Sequence, residues 1–447
     1  MAITTTIQIA KDSGFEQLVY NETAEDSAAL SRAIDCDTSS IPYGVQLHAR
    51  MKYTNNDPNH SEPIVSPWSR TVKFTARIPV EVVGICLDNR SSVGCFYWID
   101  EAGQRLSEFD YHEHPIFSKI TMVTEDAARS PVTMTRIPLF YVKTAASGPS
   151  NTFASGMKCW WISDRPAEGF RPCLAFKRST LRDSNGKYII SPDVKIGTYL
   201  AHQESASSRT VLGSKKGQTP LGNNNKETFK NYIQARNNGG AGQAGWRMFD
   251  IYDMSVLRLL CLIGKADGNC QAAWGDNASG VSNPRTGSTN ARMVFKGTHS
   301  DPQVSIDDLW RCYWYHMDLI SDSGGTVTLK SPMDLSSTLS TSFSITTSRG
   351  WIRDVCQSTF TVGDDVHDAM ELFLPYTVNG TEAYGTFGDY HTRCTSSVTT
   401  WMAGGASSDD SCGDYVNDTT RYGLFHTWSH YQVAGSGSYY VARICKN

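Results

Sequence analysis

An α+β fold is predicted for this chain, with β-rich modules toward the N-terminus and a larger C-terminal domain built around one strong helix. Three observations predict it. TVKFTARIPVEVVGICLD at 71–88 alternates apolar and polar residues, the period of a strand. WRMFDIYDMSVLRLLCLIGKADGN at 246–269 places Met254, Leu257, Leu260 and Cys261 on one helical face. Much of the rest is short apolar runs broken by Gly, Ser, Asn and Asp, the pattern of strands and turns.

Taken in order, residues 1–70 are polar and weakly periodic. They suggest a short helix at Glu25–Ile34 and a loop at Tyr53–Pro67. From 71 to 145 strands dominate: the alternating run above, a turn at Asn89–Ser92, then CFYWID, ITMVTE and MTRIPLFYVKTA. This module is either continuous with the chain after residue 145 or packed on it. Between 146 and 235, MKCWWISD, CLAFKRS, KYIISPD and KIGTYLAHQ read as strands, with a turn at Asp183–Gly186. Thr228, Tyr232, Ile233 and Arg236 open a helix. The long helix comes next, with Gly264 or Gly268 as its stop. Beyond 331 the chain reads as strand and loop. The resulting division is 1–70, a β-rich module at 71–145, and a larger C-terminal domain at 146–447.

Composition narrows the function. The formal net charge of -4 offers no basic footprint for nucleic acid. Charged residues make up only 19% of the chain, so its polarity comes from small hydrogen-bonding side chains. No apolar run is long enough to span a bilayer, and the first residues lack the basic-then-apolar pattern of a secretory leader. The 12 cysteines have no CxxC and no metal spacing, which suggests reduced thiols from a reducing cytosol. A later pairing such as Cys412 with Cys445 stays open.

Motifs for catalysis are weak. His112 and His114 could share a strand face and bind metal, but a turn before Pro115 explains them better. Asp364, Asp365, His367 and Asp368 could bind calcium, though a helix N-terminus with acidic residues in its first turn accounts for them. No P-loop, GxSxG or HExxH occurs. No catalytic residue, metal or cofactor is therefore expected.

The tail is more informative. The 17 residues from Ser407 to Gly423 contain no Lys, Gln, Glu, Met or Trp, and are mostly Ser, Asp, Gly, Tyr, Thr and Asn. A second small-plus-Tyr run spans Ser429–Tyr440, where Gln432 is the single residue of those five missing types. Antibody paratopes use the same palette, because Tyr gives rigid contact area and the small residues give adaptable hydrogen bonds. Trp401, Met402, Leu424, Phe425, Trp428 and Ile444 frame these runs.

On four features the chain resembles the C-type-lectin-fold variable proteins of diversity-generating retroelements and the phage tail receptor-binding proteins related to them. These are KYIISPDVKIGTYL at 187–200, GWRMFDIYDMSVLRLLCLIGKADGNCQ at 245–271, the Gly404-Gly405 pair, and Tyr422-Gly423-Leu424-Phe425 followed by Ala442-Arg443-Ile444. It departs from that family at Phe295–His299, where the family's Arg-Gly-x-Glu segment is missing. The resemblance implies a C-terminal C-type-lectin-like domain with a solvent-facing site in its last ~45 residues. Adenine mutagenesis of Asn codons would give the residue set seen at 407–423. From the first run it implies contacts by Ser407, Ser408, Asp409, Asp410, Asp414, Tyr415, Asn417 and Asp418. From the second it implies Ser429, His430, Tyr431, Ser436, Ser438, Tyr439 and Tyr440.

The expected function is therefore non-enzymatic adhesion at a phage tail tip, toward a host bacterial surface protein or glycan. The expected partners are that receptor, other virion tail proteins and further copies of the chain in a homotrimer, without nucleic acid or membrane insertion. The protein would be made in the host cytoplasm and carried on the virion. A structural role as head fibre or baseplate component is the main rival, and a glycan depolymerase or formylglycine-type oxidase the lesser one.

Overall fold

The computed structural model describes residues 2–26, 46–56, 62–75, 82–90, 95–126, 130–146, 156–206, 209–237, 244–275, 285–310, 313–339, 343–346, 349–379, 386–393, 399–404, 424–430 and 440–447. The chain forms two compact units, Met1–Val80 and Glu81–Asn447. Strand outweighs helix by 44% to 14%. The fold is β-rich, which corrects the α+β class and the C-type-lectin-like domain expected from the sequence. Helical periodicity is confined to two stretches. The Thr-, Val- and aromatic-rich segments elsewhere pair as strands, often with partners far away in sequence.

In the first unit, Ala2–Ala10 lies between Leu18–Asp26 and Gln46–Asn56, and the latter also pairs with Ile64–Val65 and Val72–Thr75. Strands thus replace the irregular segment expected here. Glu25 and Asp26 end a strand, Tyr53–Asn56 continues one, and 27–34 of the expected helix lies outside the described residues. Ile3, Ile7 and Ile9 alternate along the first strand, and β-branched residues favour that geometry. The Arg50 guanidinium sits 3.9 Å from the Phe15 ring and 4.4 Å from Trp68, closing a small core.

The second unit holds three larger sheets. The first runs Arg171–Pro172, Tyr141–Ala146, Met157–Ser163, Val82–Asp88, Cys95–Ile99. It joins strands from both sides of residue 145, so no domain boundary falls there, and the module after Val80 is continuous with the rest of the unit. The second sheet runs Trp246–Met248, Ile444–Lys446, Asp193–Gly197, Val132–Pro138, Thr121–Glu125. The third runs Thr326–Leu329, Trp314–Ser323, Thr399–Gly404, Thr427–His430, Tyr390–Arg393, Gly350–Val355, Pro375–Asn379, with Tyr440–Val441 paired in parallel to Trp314–Ser323. CLAFKRS is a short 3-10 turn at Leu174–Phe176 rather than a strand, and KYIISPD contributes an isolated bridge at Tyr188 and the first residue, Asp193, of a strand.

Four α-helices occur among the described residues: α1 (Pro115–Ser118), α2 (Lys226–Asn237), α3 (Ile251–Lys265) and α4 (Cys270–Ala273). Helix α2 packs Phe229 and Ile233 onto Trp246, Met248 and Ile444 of the second sheet and onto Ala442 beside it. Helix α3 is buried on every side, from Ile251 to Gly264. A helix apolar on one face only would sit at the surface, so the apolar residues all round α3 explain its central place. It stops at Lys265, with Ala266 in the left-handed region at φ 49° instead of either expected glycine.

The start of α3 is fixed by charge. Asp250 and Asp253 form a reciprocal cap, each accepting backbone N–H groups of the first turn. Arg178 donates to Asp250 at 2.8 Å and to Asp253 at 3.1 Å, and Arg247 donates to both as well. All four side chains are at most 9% exposed. Burial pushes the Asp250 carboxyl above its ordinary value, whereas Arg247 and Arg178 overcome burial at Asp253 and hold it down.

Candidate functional site

Described segments flanking the expected site, Thr399–Gly404 and Thr427–His430, belong to the third sheet. Trp401 pairs with Ser429 and Ala403 with Thr427, so Thr399–Gly404 and Thr427–His430 run antiparallel. Gly404 and Leu424, the residues flanking 405–423, thus lie at one end of these strands, opposite Trp314. Gly404 has φ 89°, and a Cβ there would meet the Tyr313 carbonyl oxygen at 2.5 Å, so glycine is required.

The return point is held by side chains from the core. The fully buried Arg258 of α3 donates to the carbonyls of Leu424 at 3.2 Å, Phe425 at 3.5 Å, Leu372 at 3.3 Å and Phe373 at 3.4 Å. Burial pulls its pKa down to about 10. The Phe425 amide donates to Asp389 at 2.7 Å, and the Leu424 amide to the Cys270 sulfur at 2.9 Å. Gln271 Nε2 reaches the other Asp389 oxygen at 3.5 Å. Both amides and both carbonyls of Leu424–Phe425 are therefore satisfied from α3, α4 and the loop at Asp389, outside any strand ladder.

A second arginine fixes the chain end. Tyr440–Val441 belongs to the third sheet and Ile444–Lys446 to the second. Between them, buried Arg443 donates to the carbonyls of Gly197 at 2.6 Å, Thr198 at 3.1 Å, Asp307 at 2.6 Å and Asp308 at 3.2 Å. Burial and the neighbouring Asp307 push the Asp308 carboxyl up to about 6.

The expected contact residues divide by position. Ser407, Ser408, Asp409, Asp410, Asp414, Tyr415, Asn417, Asp418, Tyr431, Ser436, Ser438 and Tyr439 lie outside the described residues. Ser429 and His430 lie in the strand Thr427–His430. Tyr440 is corrected from contact to frame: it is 6% exposed, and its ring stands edge-on to His316 at 6.1 Å. The expected frame residues Trp401, Met402, Leu424, Phe425 and Ile444 are all buried.

Sequence reasoning missed Arg258, Asp389, Cys270 and Arg443 as anchors. Arg258 left a signal, being a single charge inside the apolar run SVLRLLCLIG. Asp389, in GDY, left none.

The other candidate chemistries dissolve into packing. His114 caps α1 through Nδ1, and burial lowers its pKa to about 4. Asp364 faces Arg182, Asp365 faces Lys177, and His367 contacts Glu371 at 2.9 Å. Asp368 caps a 3-10 turn at Ala369–Leu372. Among the described residues no group of three or more His, Cys, Asp or Glu is placed to hold a metal ion, and no helix is long and apolar enough to cross a membrane. Eight cysteines are described and all are free thiols; Cys412 lies outside the described residues. No protein-family model matches the chain, and no curated protein is similar to it.

Proposed function

We propose that this chain is a receptor-binding protein of a bacteriophage tail tip, acting as an adhesin for a host bacterial surface protein or glycan. The reading is carried by one observation: two runs of small polar residues and tyrosine, 407–423 and 429–440, adjoin Ala403, Leu424, Phe425 and Val441, which are buried in a hydrogen-bonded frame. Binding residues on connecting segments held by a rigid scaffold are a general solution to recognition. The low charge of the chain supports a surface that recognises by shape and hydrogen bonding. The N-terminal unit would join the particle and other tail proteins and bring copies together as a trimer, so that weak single contacts gain avidity. Such binding needs neither catalysis nor cofactor.

The test is adsorption of the labelled full-length protein to a panel of bacterial strains. Changing Tyr415, Tyr431 and Tyr439 together to Ala is expected to reduce adsorption to a binding strain by about tenfold or more, as loss of aromatic anchors does. Unchanged adsorption by a variant with unchanged melting temperature would overturn the reading.

A further inference from the structure

In the first sheet of the larger unit, Val82–Asp88 and Met157–Ser163 set Cys86 directly opposite Cys159. The Asn89 amide donates to the Gly156 carbonyl at 3.0 Å, which marks 89 and 156 as a hydrogen-bonded pair at the end of this ladder. Bonded and non-bonded pairs alternate along antiparallel strands. Asp88–Met157 is thus non-bonded, Leu87–Lys158 bonded, and Cys86–Cys159 non-bonded. In non-bonded pairs the Cα atoms stand ~4.5 Å apart and side chains on one face come closest. That spacing lies within the ~4.4–6.8 Å range that a disulfide bridges. The two sulfurs are 2.7 Å apart, inside the contact distance of two unbonded sulfurs. Ile99 and Trp161 pack against both cysteines and leave neither sulfur exposed.

We propose that Cys86 and Cys159 are a dithiol site that closes to a cross-strand disulfide when the chain meets an oxidising small-molecule disulfide. One cysteine thiolate attacks the reagent's S–S bond, forming a mixed disulfide and releasing one small thiol. The second cysteine sulfur then attacks the first and expels the other small thiol. The two protein protons leave on the two small thiols, and the two electrons lost by the protein reduce the reagent. The burial of both sulfurs requires local opening, so exchange is slow in the folded chain and fast during refolding. A thiol pair made in a reducing compartment would thus tie two central strands after release from it.

The experiment refolds the full-length protein with oxidised glutathione, alkylates remaining thiols, digests without reduction and maps linked peptides by mass spectrometry. The expected result is a Cys86–Cys159 linked peptide together with a melting temperature higher by about 3–6 °C, as closure of a long loop in a unit of this size gives. Dithiothreitol should reverse both, and Cys159→Ser should show neither. Refolded protein in which Cys86 and Cys159 are both still alkylated, or carry glutathione without a protein link, would overturn the proposal. Because the reading is taken on the unmutated chain, a folding defect in the variant does not protect it.

Discussion

Replacing Arg258 with Met tests whether core side chains fix the return of the candidate binding segment. The guanidinium makes four contacts to buried carbonyls at 3.2–3.5 Å. These distances are long, so each contact belongs at the low end of the ~1.5–3 kcal/mol typical of hydrogen bonds to a charged group. The gross loss is then about 6 kcal/mol. Against it stands the cost of holding the charge in the core. The fall of the Arg258 pKa from 12.5 to about 10 corresponds to about 3 kcal/mol recovered when the charge is removed. A net loss of about 3 kcal/mol is expected for Arg258→Met in urea unfolding of the larger unit. Arg258→Lys keeps the charge but cannot span four carbonyls, and should fall between the two. Hydrogen exchange at the Leu424 and Phe425 amides, now held by Cys270 and Asp389, should quicken in the Met variant more than exchange in the Met1–Val80 unit. A Met variant within about 1 kcal/mol of the parent, with exchange at 424–425 unchanged, would refute the reasoning.

Two further outcomes arise from packing and charge. A Cβ on Gly84 would lie 2.6 Å from Trp161 Cδ1 and 2.7 Å from Ile99 Cγ1, so Gly84→Ala should destabilise by about 1–3 kcal/mol through overpacking; thermal unfolding within about half a kcal/mol of the parent would refute that. Burial works against the Glu371 carboxylate, but His367 and Arg171 beside it hold its pKa down to about 2 from 4.5. A depressed carboxylate stabilises the fold above pH ~4.5 and loses that contribution as pH falls toward ~2, on the order of 3 kcal/mol in all. Urea midpoints of parent and Glu371→Gln should therefore differ at pH 7, draw together below pH ~4.5 and meet only near pH ~2, and a gap independent of pH would count against the assignment.

Strand positions in 71–163 were legible because alternation was strong and turns were marked. CFYWID, ITMVTE and MKCWWISD all pair much as their periods suggest. The strands of the first unit were hard to see, because Thr and Asn dilute the alternation that Ile3, Ile7 and Ile9 carry in the first of them. CLAFKRS has a strand's composition, yet the Cys173 carbonyl accepts from the Phe176 amide and closes a 3-10 turn there. The fold class failed for a different reason. Parallel pairing of Tyr390–Arg393 with Thr427–His430 joins segments far apart in the chain, and no local period reports such a partner. The candidate site was half legible: its frame residues stand out as large apolar side chains in a polar tail, whereas of its anchors only Arg258, a single charge inside an apolar run, leaves a trace.

Those anchors explain how so weakly charged a chain can carry irregular segments into its core. Where backbone leaves a ladder, its carbonyls need donors, and water cannot supply them in a buried place. A guanidinium offers five N–H groups in a fixed plane, so one side chain can serve several carbonyls whose spacing matches no ladder. Arg258 serves two separate segments, 372–373 and 424–425, and Arg443 serves two others, 197–198 at a strand end and 307–308. In each case the contacted atoms belong to the backbone, so the identity of nearby exposed side chains does not enter the interaction. Leu424 and Phe425 are thus held by Arg258 through backbone atoms alone, independent of which side chains they carry. That indifference is the physical property a recognition surface requires if its contact residues are to differ from one receptor to another.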